Sequence, residues 1–257
     1  MSNIIVITSG KGGVGKTTTA INLAAAINFF KRDVLVIDGN LTTPNIALHL
    51  GSTEVPVNLN HVLQGKAPAH EAVYEHSSGI KIMPASLSIK NWKKINSQEI
   101  KNYKNDFKKL SGNIIVDSAA GLGEEALSAI RLADEIIIVT NPEMPALTDA
   151  LKTIKIAQEM RKPIKGVIVT RVRKNFYEMH PETVKDMLEV PILGMIPEDE
   201  SIQESLNLKD AVVHTHPKSK SARAYKEIGA ILLGIAYDSD KDKDRWYHPI
   251  FRTLRLR

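Results

Sequence analysis

Eight consecutive residues, Gly10-Lys11-Gly12-Gly13-Val14-Gly15-Lys16-Thr17, satisfy the pattern GxxxxGK[ST]. Each residue type in it suits a polyphosphate. Glycines let the backbone turn tightly and approach phosphate oxygens with no Cβ in the way. The amide N–H groups of such a loop, and the positive end of the helix after it, face the anion. Lys16 is placed to neutralise β- and γ-phosphates, Thr17 to ligate Mg²⁺ through its hydroxyl, and Thr18 to contact the α-phosphate. The chemistry expected is binding of a nucleotide polyphosphate together with Mg²⁺.

Two carboxylates belong to the same reading. Asp38 closes the apolar run Val34-Leu35-Val36-Ile37, and Asp117 closes Ile114-Ile115-Val116. A strand ending in Asp delivers its carboxylate to the C-terminal edge of a parallel sheet, where ligands of open α/β sheets bind. Asp117, ahead of Ser118-Ala119-Ala120-Gly121, is expected to hold the water shell of Mg²⁺, with Asp38 as a second metal-facing group. Helix capping is the structural alternative for an Asp at either place.

The rest of the chain must supply such a sheet. Short β-branched runs alternate with longer segments of helical period, the pattern of a mostly parallel sheet covered on both faces. Strands are expected at 4–8, 34–38, 80–83, 113–117, 135–140, 166–170 and 192–196, making an α/β fold of about seven or eight strands. Helices are expected at 16–30, 98–110, 124–133, 145–161, 176–189 and 219–236. The sequence divides into one domain over 1–237, a charged linker over 238–244 (Asp-Ser-Asp-Lys-Asp-Lys-Asp) and a terminal peptide over 245–257.

Composition narrows the function classes. Hydrophobic residues make up 43% of the 257, and 25% are charged, the balance of an ordinary globular domain. Cysteine is absent, which excludes a disulfide framework, cysteine-ligated zinc and an iron–sulfur scaffold. No run approaches the roughly 18 apolar residues of a membrane span, and the N-terminus lacks the basic start of a signal peptide, so a cytoplasmic body is expected. The net charge of +5 is concentrated at the end: without Arg245, Arg252, Arg255 and Arg257 the balance is 30 basic against 29 acidic groups. That asymmetry points to a local anionic partner more than to a globally basic nucleic-acid binder.

Lys11 makes the phosphate loop more specific. The sequence Lys11-Gly-Gly-Val-Gly-Lys16-Thr-Thr18 resembles the deviant Walker A loop of the MinD/ParA family of dimerising ATPases, and MinD-like members most of all. The resemblance covers essentially residues 3–236. It rests also on Asp38 to Asn45, Asp117-Ser-Ala-Ala-Gly121, Gly194-Met-Ile-Pro197-Glu-Asp and Lys218-Ser-Lys-Ser-Ala-Arg-Ala-Tyr225. It implies a three-layer P-loop NTPase fold and a homodimer closed around ATP, with Lys11 reaching the phosphates held by the other subunit. It further implies that Asp38 and Asn40 form a switch sensing the γ-phosphate, that an activator protein exists, and that the role is in cell division or spatial positioning. A lysine acting in trans is chemically sensible, since it makes dimerisation depend on ATP and stabilises developing charge.

Two positions depart from the family pattern. Asp38-Gly39-Asn40 stands where relatives commonly show Asp-x-Asp. Asn40 can hydrogen-bond a water but cannot take its proton, so slow hydrolysis is expected. Val169-Thr170-Arg171 stands where relatives usually have Asn-Arg, whose Asn reads the adenine edge. Thr170, Arg171 and backbone groups near Pro197 are the adenine-site candidates, with base selectivity weaker than usual.

The terminal peptide has two faces. On a helical wheel Trp246, Tyr247, Ile250, Phe251 and Leu254 fall within about 140° of one another, opposite Arg245, His248, Arg252 and Arg255. Apolar rings facing arginines suit a helix lying in an anionic membrane interface, and the peptide occupies the place of the membrane-targeting helix of MinD relatives. Pro249 limits the stable helix to about two turns. A segregation-type ATPase that binds DNA through Arg171, Arg173 and Lys174 is the rival reading, and one that uses ATP only as dimer glue is another. His214 and His216 have no carboxylate cluster at ligand spacing, so metal binding is not expected there.

Overall fold

The computed structural model describes residues 2–53, 55–88, 97–173 and 178–238. Its centre is a single eight-stranded sheet in the order β3-β4-β2-β5-β1-β6-β7-β8. In chain order the strands are β1 (Asn3–Thr8), β2 (Val34–Gly39), β3 (Tyr74–Glu75), β4 (Lys81–Met83), β5 (Asn113–Ser118), β6 (Glu135–Thr140), β7 (Ile164–Val172) and β8 (Ile192–Pro197). All neighbours pair in parallel except β3 with β4.

The strands are buried on both faces, which is why they read as continuous apolar runs. Alternation sorts their side chains between two cores. Ile4, Val6, Leu35, Ile37, Ile114 and Val116 point into one; Ile5, Ile7, Val34, Val36 and Ile115 point into the other. The first core is covered by α5 (Glu124–Leu132), α6 (Met144–Glu159) and α7 (Pro181–Leu188). The second is covered by α1 (Lys16–Phe29), α9 (Val212–Thr215) and α10 (Lys220–Leu233). This is the three-layer arrangement expected from the sequence. The alanines of α1 let α10 come close: a Cβ on Gly229 would lie 2.8 Å from the Ala26 Cβ.

The remaining helices are α2 (Ile46–His49), α3 (Leu59–Leu63), α4 (Lys104–Lys108) and α8 (Glu200–Asn207), with 3-10 turns at Ala69–Ala72 and Ser97–Tyr103. The helix expected over 98–110 is thus a 3-10 turn followed by the short α4, and the one expected over 176–189 starts at Pro181, the residue that fixes a helical N-terminus. Residues 239–257 lie outside the described residues, and with them the terminal peptide and most of the linker. Among the described residues no helix is long and apolar enough to cross a membrane.

One contact anchors the strand that feeds the site. The Asp134 carboxylate accepts a hydrogen bond from the Ile4 backbone N–H at 3.0 Å and bridges Lys104 at 2.7 Å and Lys108 at 2.8 Å. Partial burial pushes its pKa up, but the two lysines and the Ile4 amide outweigh that and hold it at about 2. A carboxyl depressed by folding contributes stability that is complete above its unfolded value, near 4, and is lost as pH falls toward 2. Asp134→Asn is expected to cost about 1 kcal/mol at neutral pH and to flatten the loss of stability between pH 4 and 2. Urea denaturation across that range, with and without the substitution, is the measurement.

Candidate phosphate and metal site

The phosphate loop leaves β1 after Thr8 and enters α1 at Lys16. Gly13 (φ 78°) and Gly15 (φ 90°) occupy the left-handed region, so the loop needs glycine there. Gly10 is required for space instead. A Cβ on it would lie 2.2 Å from the Asp149 carbonyl oxygen, because the α6 backbone is packed against the loop. From the other side, Ser9 Oγ donates to the Lys11 carbonyl at 2.7 Å, and the Gly121 N–H donates to the Ser9 carbonyl at 2.9 Å. The loop is therefore built against α6 and the turn after β5.

The two lysines of the loop differ in environment. Lys16 is buried, 9% exposed, and burial lowers its pKa against the opposing pull of the Asp117 charge. Lys11 stands exposed at the loop tip.

Asp38 and Asp117 sit opposite each other at the ends of β2 and β5, both fully buried. Between them in the chain, Gly39 has no room for a side chain: its Cβ would lie 2.8 Å from Val116 Cγ1. The Thr17 hydroxyl donates to Asp117 Oδ2 at 2.6 Å. The other carboxylate oxygen, Asp117 Oδ1, is buried with no hydrogen-bond partner among the described residues. Burial raises the Asp117 pKa to about 6, with the Thr17 bond and Lys16 opposing. Burial, and then the Asp117 charge, push Asp38 well above the usual carboxylate range. A hydroxyl, an orphaned carboxylate oxygen and a second carboxylate form an oxygen-only donor set with surplus negative charge. Such a set suits a hard divalent cation such as Mg²⁺, held by Thr17 and Asp117 with Asp38 alongside.

Asp38 has a further task. Its Oδ2 accepts the backbone N–H groups of Asn45 and Ile46, each at 3.0 Å, and its Oδ1 accepts that of Asn40 at 3.2 Å. It therefore caps α2 and shapes residues 40–46, so the capping role holds together with the place beside Asp117. Asn40 Oδ1 accepts from Thr43 N–H at 3.3 Å and Thr43 Oγ1 at 3.1 Å. The same segment is tethered by Glu125 on α5, whose carboxylate accepts the Thr42 N–H at 3.0 Å and the Thr42 hydroxyl at 2.8 Å. Sequence reasoning missed Glu125. A Glu in the first turn of a helix already satisfies the helix dipole, so nothing in its position hints at a partner 83 residues away.

The three residues expected against adenine separate. Pro197, at the end of β8, pairs in register with Val172, and exposed Arg171 lies nearby on the same edge. Thr170 is 4% exposed and turned under the phosphate loop, its hydroxyl 2.6 Å from the Val14 carbonyl. Next to Pro197, Asp199 caps α8 through the Ser201 N–H and also accepts the Ser221 N–H and hydroxyl, at 3.0 and 2.8 Å. That contact docks the start of α10 on the end of β8. The Arg173 guanidinium pairs with the Glu198 carboxylate, and its backbone N–H donates to Glu178, so its charge already has a partner. Lys174 lies outside the described residues. His214 pairs with Asp210 and His216 with Glu204, each at 3.0 Å. Trp246, Tyr247, Ile250, Phe251, Arg252, Leu254 and Arg255 also lie outside the described residues.

Comparison with known proteins identifies the family and the fold. The family model described as ParA, NUBPL iron-transfer P-loop NTPase, matches residues 1–233. An uncharacterized ATP-binding protein of Methanocaldococcus jannaschii is 36% identical over 245 residues, covering 95% of this chain and 93% of that one. Among solved structures, the cell division ATPase MinD of Pyrococcus furiosus superposes with a TM-score of 0.88 at 33% identity, over 92% of this chain and all of that one. The septum site-determining protein MinD of Pyrococcus horikoshii, complexed with Mg-ADP, gives 0.87 at 34% identity, over 95% and 100%.

Proposed function

We infer the function from one premise: the chain belongs to the ParA family of P-loop NTPases. It is a MinD-like ATPase in that family. On this premise we propose an ATP-dependent dimerising switch, reset by hydrolysis of ATP to ADP and phosphate. The observation that carries the proposal is the contrast between two lysines of one loop. Lys16 is buried beside Asp117, where it serves the phosphates of its own chain, while Lys11 is exposed at the tip, free to serve a nucleotide held by a second copy. Without cysteine the chain has no thiolates for iron transfer, so the iron chemistry in the family's description does not extend to it.

The residues divide the work as follows. Backbone amides of Gly10, Gly12, Gly13, Val14 and Gly15 face the phosphates, with Lys16 and Thr18 on the same anion. Thr17 would hold Mg²⁺ directly and Asp117 through its water shell, a reading the orphaned Asp117 oxygen supports. A bound Mg²⁺ would supply positive charge that neutralises the phosphates during transfer. Asp38 fixes the switch segment 40–46, and Asn40 orients a water without accepting its proton, which makes basal turnover low. Arg171 and backbone groups near Pro197 border the base.

The terminal peptide couples this cycle to a surface. One two-turn helix is a weak anchor, whereas a dimer presents two at once and multiplies its residence on an anionic membrane. The body is then cytoplasmic and attaches peripherally in the ATP state. Co-sedimentation with anionic liposomes is the test: retention is expected with ATP, release with ADP, and loss of retention when residues 245–257 are deleted. Equal retention of full-length and shortened chains contradicts the proposal.

A further inference from the structure

Thr170 ends up in an unexpected place for a residue expected to lie against the nucleotide base. It is 4% exposed on β7 and sits directly beneath the phosphate loop. A Cβ built on Gly15 would meet Thr170 Oγ1 at 3.8 Å, Cγ2 at 3.9 Å and Cβ at 4.0 Å. Its hydroxyl lies 2.6 Å from the Val14 carbonyl, 3.2 Å from the Thr140 carbonyl and 2.9 Å from the Asn141 side-chain oxygen. A hydroxyl carries one hydrogen and cannot donate to all three. The shortest contact takes it, so Thr170 donates to Val14. Of the two contacts that remain, the one to Asn141 is satisfied when its carboxamide is turned end for end, its NH₂ donating to Thr170 Oγ1. The hydroxyl's one hydrogen is then committed to the loop, and burial beneath Gly15 keeps its remaining lone pair from a base.

From this geometry we propose that Thr170 is a positioning residue of the phosphate loop and plays no part in reading the base. It acts through Val14. A Val14 carbonyl held from below fixes the peptide plane between Val14 and Gly15, and with it the Gly15 amide N–H on the opposite edge of that plane. Gly10 is held at the other end by the α6 backbone at Asp149, so the loop is propped at both ends before any ligand arrives. Preorganisation of this kind raises affinity for whatever the loop binds, regardless of the group attached to the phosphates. The proposal rests on the loop being a polyphosphate site, as argued above.

The experiment compares Mg²⁺-dependent binding of ATP, GTP and inorganic tripolyphosphate by calorimetry. It uses the wild-type chain, Thr170→Val and Thr170→Ser, with Thr170→Ala as partner to the serine variant. Valine matches threonine in shape without the hydroxyl, and the alanine–serine pair repeats that comparison if valine disturbs folding. Loss of the hydroxyl is expected to weaken all three ligands by the same factor, about tenfold, with the ATP-to-GTP ratio unchanged. Serine is expected to restore wild-type affinity. A changed ATP-to-GTP ratio with unchanged tripolyphosphate binding overturns the proposal, as does a hydroxyl-free variant that binds all three normally. A wild-type chain that binds neither ATP nor tripolyphosphate overturns the phosphate-site reading itself, a result distinguishable from the other two.

Discussion

Lys11→Ala is expected to bind Mg²⁺–ATP within a few-fold of the wild type, to remain monomeric with ATP, and to lose at least 100-fold in turnover. The split follows from where the two lysines stand. Lys16, buried against Asp117, is the residue proposed to meet a chain's own phosphates, and it is untouched by the substitution. Lys11 is exposed, so its removal leaves no cavity and no orphaned partner in the core. What it removes is a cation able to reach a triphosphate held by another copy. A cation delivered in trans to the transferring phosphoryl group contributes roughly 10³ to 10⁵ in rate where it has been measured, which sets the scale of the loss. Sedimentation with ATP separates this outcome from simple damage to the loop, since damage would abolish nucleotide binding as well.

The second large effect is expected at Asp117, with opposite signs on function and stability. Asp117→Asn should lower ATP turnover by at least 100-fold, because on the proposed reading the carboxylate that would hold the water shell of Mg²⁺ beside Thr17 becomes neutral. The same substitution should raise the melting temperature of the metal-free protein by about 3 °C. Asp117 and Asp38 are buried side by side at adjacent strand ends, and one Asp117 oxygen lacks a hydrogen-bond partner among the described residues. Neutralising one of the two relieves that repulsion, while the new amide's carbonyl still accepts from Thr17. A melt without metal and a phosphate-release assay with Mg²⁺ read the two effects. Normal turnover in the variant would remove Asp117 from the metal site.

Much of the site was legible because its chemistry is local. The glycine spacing of residues 10–17 encodes a turn, a close approach and a helix start within eight positions, and the structure needs glycine at 13 and 15 for conformation and at 10 for space. Asp38 and Asp117 were legible as the polar ends of apolar strands, and the parallel register brings them together. β6 matched its expected bounds, 135–140, and β1, β2, β5 and β8 were found within a residue or so, because strands buried on both faces leave uninterrupted β-branched runs.

The misses have a common physical cause. β3 is two residues long and owes its place to β4, so it has no period to detect. α2 and α3 span four and five residues, less than a readable repeat, and α2 is set by Asp38 eight residues earlier. α8 is mostly polar and was not expected, since its start is fixed by the Asp199 cap. Thr170 and Glu125 act across 156 and 83 residues of sequence, and their types alone announce neither partner. Pairing at such separation is decided by the sheet order, which the sequence does not state.

Sedimentation velocity of the full-length chain, saturated with Mg²⁺ and a non-hydrolysable ATP analogue and compared with Mg²⁺–ADP, tests the dimerising switch most directly. The account predicts a species of twice the 28.4 kDa chain mass with the analogue and a single chain with ADP. A single chain in both nucleotide states contradicts it.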